Sequence, residues 1–137
     1  MRKKNQRRSQ HGSLSVEMVL LLPAFVLLIV GGLEMARGAT LRMSLGAGTW
    51  RAARYLSVYA PSNDAEALNI VRDAVAHNVM GGDPAQVSVT VTDDGGRTFG
   101  HVLTVRAETD FCPVIPFMTN GCVTLEAEHA LQVEVWP

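Results

Sequence analysis

The stretch Gly12-Ser-Leu-Ser-Val-Glu17-Met-Val-Leu-Leu-Leu-Pro23-Ala-Phe-Val-Leu-Leu-Ile-Val-Gly-Gly32, continued by Leu33, sets one carboxylate inside a run of side chains otherwise fit for hydrocarbon. From Ser13 to Leu33 there are 21 residues, which at helical rise span about 30 Å, the thickness of a bilayer core. An ionised carboxylate in that medium costs at least a few kcal/mol even on lenient insertion scales, so it is kept mainly where a partner offsets it. Glu17 therefore asks for a positive partner. A cut after Gly12 would make Ser13 a free amino terminus one helical turn from Glu17, supplying that charge on the same chain or a neighbouring subunit.

On the amino-terminal side, Arg2, Lys3, Lys4, Arg7 and Arg8 precede the apolar run with no acidic residue among them. This bias predicts that the amino terminus stays cytoplasmic while the rest of the chain crosses. The formal charge of −1 hides the asymmetry, because seven basic residues face thirteen acidic ones after the leader, a balance of −6. A basic leader followed by an apolar run also describes a secretory signal peptide. Against that reading stand an apolar stretch longer than the ~7 to 15 residues of a signal core, a glutamate near its start, and only Ala36-Arg-Gly38 as a poor cleavage site. An uncleaved single-pass anchor is a further alternative, and it leaves Glu17 less well explained. The basic cluster also has the electrostatics of an anionic-lipid or nucleic-acid patch, but membrane topology accounts for it more simply.

Pro23 removes one backbone hydrogen bond from a helix and is expected to bend it, as membrane helices tolerate. Gly31-Gly32 permits close helix approach, a weak signal alone. Beyond the apolar run, Leu41, Leu45, Gly48, Ala52, Leu56 and Tyr59 fall on one stripe at three- and four-residue spacing, with Trp50, Arg51 and Arg54 on the opposite side. The pattern predicts one long amino-terminal helix whose outer half packs on a small head. A separate surface helix after a break at Gly46 or Gly48 is the competing arrangement, since glycine costs about 1 kcal/mol in a helix interior.

Pro61-Ser-Asn63 marks a turn, and Asn63 with Glu66 reads as a capping box opening a second helix. Leu68, Val71, Val75 and Val79 form its apolar stripe, Gly81-Gly82 its stop, and His77 lies off the stripe. After Asp83-Pro84 the period becomes two. Val87, Val89 and Val91 alternate with Ser88, Thr90 and Thr92 as in a half-buried strand, and Asp93-Asp-Gly-Gly96 signals a hairpin turn. A strand near His101 to Glu108 buries Leu103 and Val105. A last one from Val123 to Val135 keeps odd positions apolar except His129, with Glu126, Glu128, Gln132 and Glu134 on the other face. Together they predict a small, mainly antiparallel sheet of about three strands.

Cys112 and Cys122 bracket the turn-rich segment Pro113-Val-Ile-Pro116-Phe-Met-Thr-Asn120-Gly121. A disulfide there would stabilise a small exported domain by roughly 3 kcal/mol on the loop-entropy model. A metal or redox pair is the alternative, but CxxC spacing and histidines at ligand spacing are missing. Val114, Ile115, Phe117 and Met118 either form a contact surface or plug the end of the sheet. No segment offers a nucleophile elbow, a phosphate loop, a zinc signature or a catalytic pair. His11, His77, His101 and His129 are scattered, and Gly46-Ala-Gly48 is too short for a nucleotide fingerprint. Asp93-Asp94 reads as turn chemistry rather than a calcium site. With 137 residues the chain holds one modest domain beside its apolar segment and no large enzyme core.

Several stretches resemble the TadE-like family, the minor pilins or pseudopilins of Tad-type pilus and secretion systems. They are Gly12-Ser13 with Glu17 at the fifth mature position, the run Met18 to Gly32, Glu34-Met-Ala-Arg37, and Trp50-Arg-Ala-Ala-Arg54-Tyr55. The resemblance covers roughly residues 12–59. Met18 stands where Tad-type major pilins usually carry an aromatic residue. The resemblance implies cleavage between Gly12 and Ser13 by a dedicated prepilin peptidase. It also implies Glu17 as partner of the new amino terminus, and partnership with other pilins and inner-membrane Tad assembly proteins; the residues themselves call for membrane lipid as a partner and for no nucleic acid, cofactor or metal.

The expected architecture is thus α+β and pilin-like. A cleaved leader spans 1–12, a transmembrane or filament helix 13–33, a helical extension 34–60 and an α+β head 61–137. The expected function is a non-catalytic structural component of a pilus or secretion assembly. It would cross the bacterial inner membrane once, with the head periplasmic or extracellular. The alternative is an anchored or secreted binding domain outside any filament.

Overall fold

In the computed structural model the described residues are 6–59, 63–114 and 121–134, and the side chains of 6–15 fall outside that description. Arg2, Lys3 and Lys4 of the leader, Pro61, and the Ile115 to Asn120 part of the cysteine loop therefore lie outside the described residues, as does Val135. The fold is α+β: helix α1 (Gln6–Val58), helix α2 (Asp64–Ala76), a 3-10 turn over Pro84–Gln86, and strands β1 (Ser88–Asp93), β2 (Val102–Phe111) and β3 (Val123–Gln132). The chain divides into two compact units, Met1–Met35 and Ala36–Pro137.

In the first unit α1 remains helical through Pro23. In the second, α1 runs straight through Gly46 and Gly48, so the broken arrangement is not adopted. Packing is the physical reason at Gly48: a Cβ there would lie 2.9 Å from the Ala74 Cβ and 3.1 Å from the Val71 Cα. Glycine is what lets the α2 backbone approach α1, and that approach outweighs its propensity cost. Leu41, Leu45, Ala52 and Leu56 of α1 are buried together with Ala67, Val71 and Val75 of α2 and with Val87, Leu103, Val105 and Ala107. Both helices thus supply the layer that covers one face of the sheet. The expected stripe holds from Leu41 to Leu56 and fails at Tyr59, which is exposed because α1 ends at Val58. Its ring stacks instead on Tyr55, with centroids 5.0 Å apart.

Asn63 caps α2, its side chain accepting from the Ala65 N–H at 3.2 Å. The reciprocal bond of a capping box is replaced: the Glu66 carboxylate accepts from the Tyr55 hydroxyl and raises that phenol above its ordinary value, burial and nearby charge adding to the effect. α2 ends at Ala76, a turn before Val79, which is 97% exposed rather than part of the stripe. The cause is local. Asn78 accepts from the Met80 N–H through its side chain and from the Gly81 N–H through its carbonyl, so the backbone turns before Val79 can join the helix. Gly81 then supplies the left-handed conformation at φ +90°.

The sheet is an antiparallel meander in the order β1-β2-β3, with Val91 opposite Val105 and Val105 opposite His129. Odd positions face the helices. The β1–β2 connection is longer than the expected Asp93-Asp-Gly-Gly96 turn and occupies 94–101. The Asp93 carboxylate accepts from the Gly96 N–H at 2.8 Å and that of Asp94 from the Val102 N–H at 2.9 Å, which stabilises the wider loop. β3 leaves the sheet at Gln132. Val133 stays buried and donates to the His101 carbonyl, while the Glu134 N–H donates to the Ser57 carbonyl at the end of α1.

Candidate assembly site

Thirteen large apolar side chains between Val16 and Leu33 are exposed on α1. Burying a side chain of this kind is worth about 1.5 to 3 kcal/mol, so the segment forgoes on the order of 20 kcal/mol if left in water. It is long and apolar enough to cross a membrane. Glu17 sits among these residues, itself exposed, one turn along α1 from Ser13. Gly12 and Ser13 lie within α1 by backbone. The helix therefore presents to its surroundings a continuous apolar surface interrupted by a single carboxylate, a surface suited to lipid or to other apolar helices and ill suited to water.

At the start of the second unit, Arg37 donates to the Met80 carbonyl at 3.4 Å and its guanidinium lies 5.8 Å from the centre of the Phe111 ring. Phe111 in turn packs on Gly38, where an added Cβ would meet its ring at 3.4 Å. The sequence singles out Arg37 as the end of Glu34-Met-Ala-Arg37, and nothing in its pattern announces Phe111, 74 positions further on, as the partner. Next to Phe111, Cys112 and Cys122 close the β2–β3 connection as a disulfide with Cα atoms 4.1 Å apart. Val114 beyond it is exposed.

His77, His101 and His129 do not converge, and among the described residues no group of histidine, cysteine and carboxylate side chains is arranged to hold a metal ion. His77 lies near the Asp73 carbonyl at 2.8 Å and His101 near Asp94 at 3.2 Å. The Asp93 carboxylate accepts from the Gly96 N–H within the loop and that of Asp94 from the Val102 N–H at the start of β2.

A membrane-competent helix continuing into a small α+β head defines the class of protein. Residues 12–54 match the sequence family described as TadE-like protein. No curated protein and no solved structure matches the chain.

Proposed function

We propose that this chain is a minor pilin or pseudopilin of a Tad-type pilus or secretion apparatus, a structural component that performs no catalysis of its own. The reading rests on a carboxylate set close behind a cleavage-site glycine at the mouth of an apolar helix, within a stretch that matches the family. The family match begins at Gly12, and the isolated carboxylate of the apolar helix follows five residues later. A prepilin peptidase removes the basic leader between Gly12 and Ser13. The apolar part of α1 then holds the chain in the inner membrane, leader side cytoplasmic and head periplasmic or exterior. During assembly α1 exchanges lipid for neighbouring pilin helices, and the inner-membrane Tad proteins drive that exchange.

Glu17 provides the recognition step. In hydrocarbon its charge costs a few kcal/mol, and the Ser13 amino group of its own or an adjacent subunit offsets that cost at a spacing of one helical turn. Assembly competence thereby depends on leader removal, because an uncleaved chain has a peptide bond where the amine should be. The test is Glu17→Gln in the host. Membrane recovery of the variant should equal that of wild type while its incorporation into assembled material falls at least tenfold; equal incorporation of the two proteins would exclude this role and favour an anchored domain outside any filament.

A further inference from the structure

The head carries two chemically opposite outer faces. On α1, Ala39, Met43, Ala47 and Trp50 recur at four- and three-residue spacing and are all exposed, Met43 at 72% and Trp50 at 50%. Arg42 and Arg51 flank this stripe, and Arg54 ends it. Arg54 is paired with Glu134 at 2.6 Å, whereas Arg42 and Arg51 make no ion pair among the described residues. The stripe is an apolar helix face with an aromatic anchor and a positive rim.

The opposite face belongs to the sheet, where even positions point away from the helices. It presents Thr104, Arg106, Glu108 and Asp110 on β2 beside Thr124, Glu126, Glu128 and Ala130 on β3. Glu108 lies directly across from Glu126, an arrangement that repels unless it is bridged. Arg106 bridges it, donating to Glu108 and to Glu126 at 2.9 Å each. Four carboxylates against one guanidinium still leave this face net negative, and Glu128 makes no ion pair among the described residues. On β1, Ser88, Thr90 and Thr92 extend the surface with short side chains that let a helix approach.

We propose that the α1 stripe around Met43 and Trp50 docks on the outer sheet face of a second copy of this chain, with Arg42 and Arg51 against Glu128 and its neighbouring carboxylates. Charge complementarity selects the occupant. The helix face repels its own kind, as does the sheet face, so a symmetric helix-to-helix or sheet-to-sheet pair is disfavoured and the front-to-back contact is the attractive one. The helix face spans about 22 Å from Ala39 to Arg54 at helical rise, and ten residues of β2 or β3 extend over about 33 Å, so the sheet accommodates the full stripe. Because the contact joins unlike faces, each copy retains one free face of each kind and the interface is heterologous rather than isologous. The proposal deepens the assembly reading and rests on it, since it supplies a head-to-head contact between copies of this chain in the assembly.

The test uses the full chain reconstituted in vesicles of phosphatidylethanolamine and phosphatidylglycerol, with a photo-crosslinking benzophenone amino acid in place of Trp50. Adducts should join position 50 to peptides carrying 102–110 or 124–132 of another copy. Glu128→Arg should lower their yield about fivefold, the scale expected for reversing an exposed pair, and mixing it with a crosslinker-bearing chain that also carries Arg51→Glu should restore the yield. Adducts to α1 of another copy, adducts to lipid alone, the absence of adducts, or a charge swap without rescue would each overturn the proposal. The assembly reading is judged separately. A chain that begins at Ser13 in the host but gives no head-to-head adduct keeps the pilin role and loses this contact, while adducts from a chain retaining its leader in the host keep the contact and lose the pilin role.

Discussion

Alanine placed at Gly46 and at Gly48 is the same chemical change two residues apart on one helix, and the two should move stability in opposite directions. At Gly46 an added Cβ meets nothing within 4 Å, so only backbone propensity acts and Gly46→Ala should stabilise by about 1 kcal/mol. At Gly48 the same gain is opposed by contacts at 2.9 Å to the Ala74 Cβ and 3.1 Å to the Val71 Cα. The second of these is backbone, so relief requires α2 to move away from α1, and overpacking of this kind costs about 1 to 3 kcal/mol. Propensity cancels between the two variants, leaving the overpacking cost as their difference. For a head of this size that separates their melting temperatures by about 5 to 15 °C, with Gly46→Ala the higher. Thermal unfolding of the full chain in mild detergent, followed by near-ultraviolet circular dichroism, reads the difference directly. If Gly48→Ala melts with or above Gly46→Ala, the close crossing of α1 and α2 is not what glycine serves at this position.

Replacing Cys112 and Cys122 together by serine should lower the stability of the oxidised protein by roughly 3 kcal/mol, checked by urea unfolding with and without reductant; only the wild type should respond to the reductant. Tyr55 should ionise above pH 10.0, its ordinary value, because Glu66 accepts its proton-bearing hydroxyl. A raised folded-state value means that this contribution to stability is complete below pH 10.0 and is lost as the pH climbs through the raised value. Difference absorbance during alkaline titration should show that late component disappear in Tyr55→Phe, and an unchanged titration would place the shift elsewhere.

Much of this architecture is written locally. The apolar run, the buried stripe from Leu41 to Leu56, the Asn63 cap and the alternation of Val89 and Val91 each follow from spacing within one element, so periodicity reveals them. The misread points are those where a side chain acts on distant backbone or competes with a regular element. Val79 continues the α2 spacing, yet Asn78 turns the chain first. Glu66 has the position of a capping partner, yet Tyr55 on α1 takes its carboxylate. The β1–β2 loop widens because Asp94 binds the Val102 N–H on the far side. Gly48 reads as a possible break from sequence, and only the α2 backbone beside it explains why the helix continues. For the candidate site, Glu17 is legible because charge in an apolar run is costly wherever it occurs, whereas Phe111 meets Arg37 and Gly38 only through the fold.

Removal of the leader separates the pilin role from its alternatives, and it is read from the mass of the amino-terminal peptide of the protein recovered from its host. Maturation as a pilin requires a chain beginning at Ser13, with a free amine available to Glu17. A start near residue 39 would instead describe a secreted protein freed of its apolar segment, and a leader intact through Arg2 to Gly12 would describe a plain membrane anchor; either result would contradict maturation as a pilin.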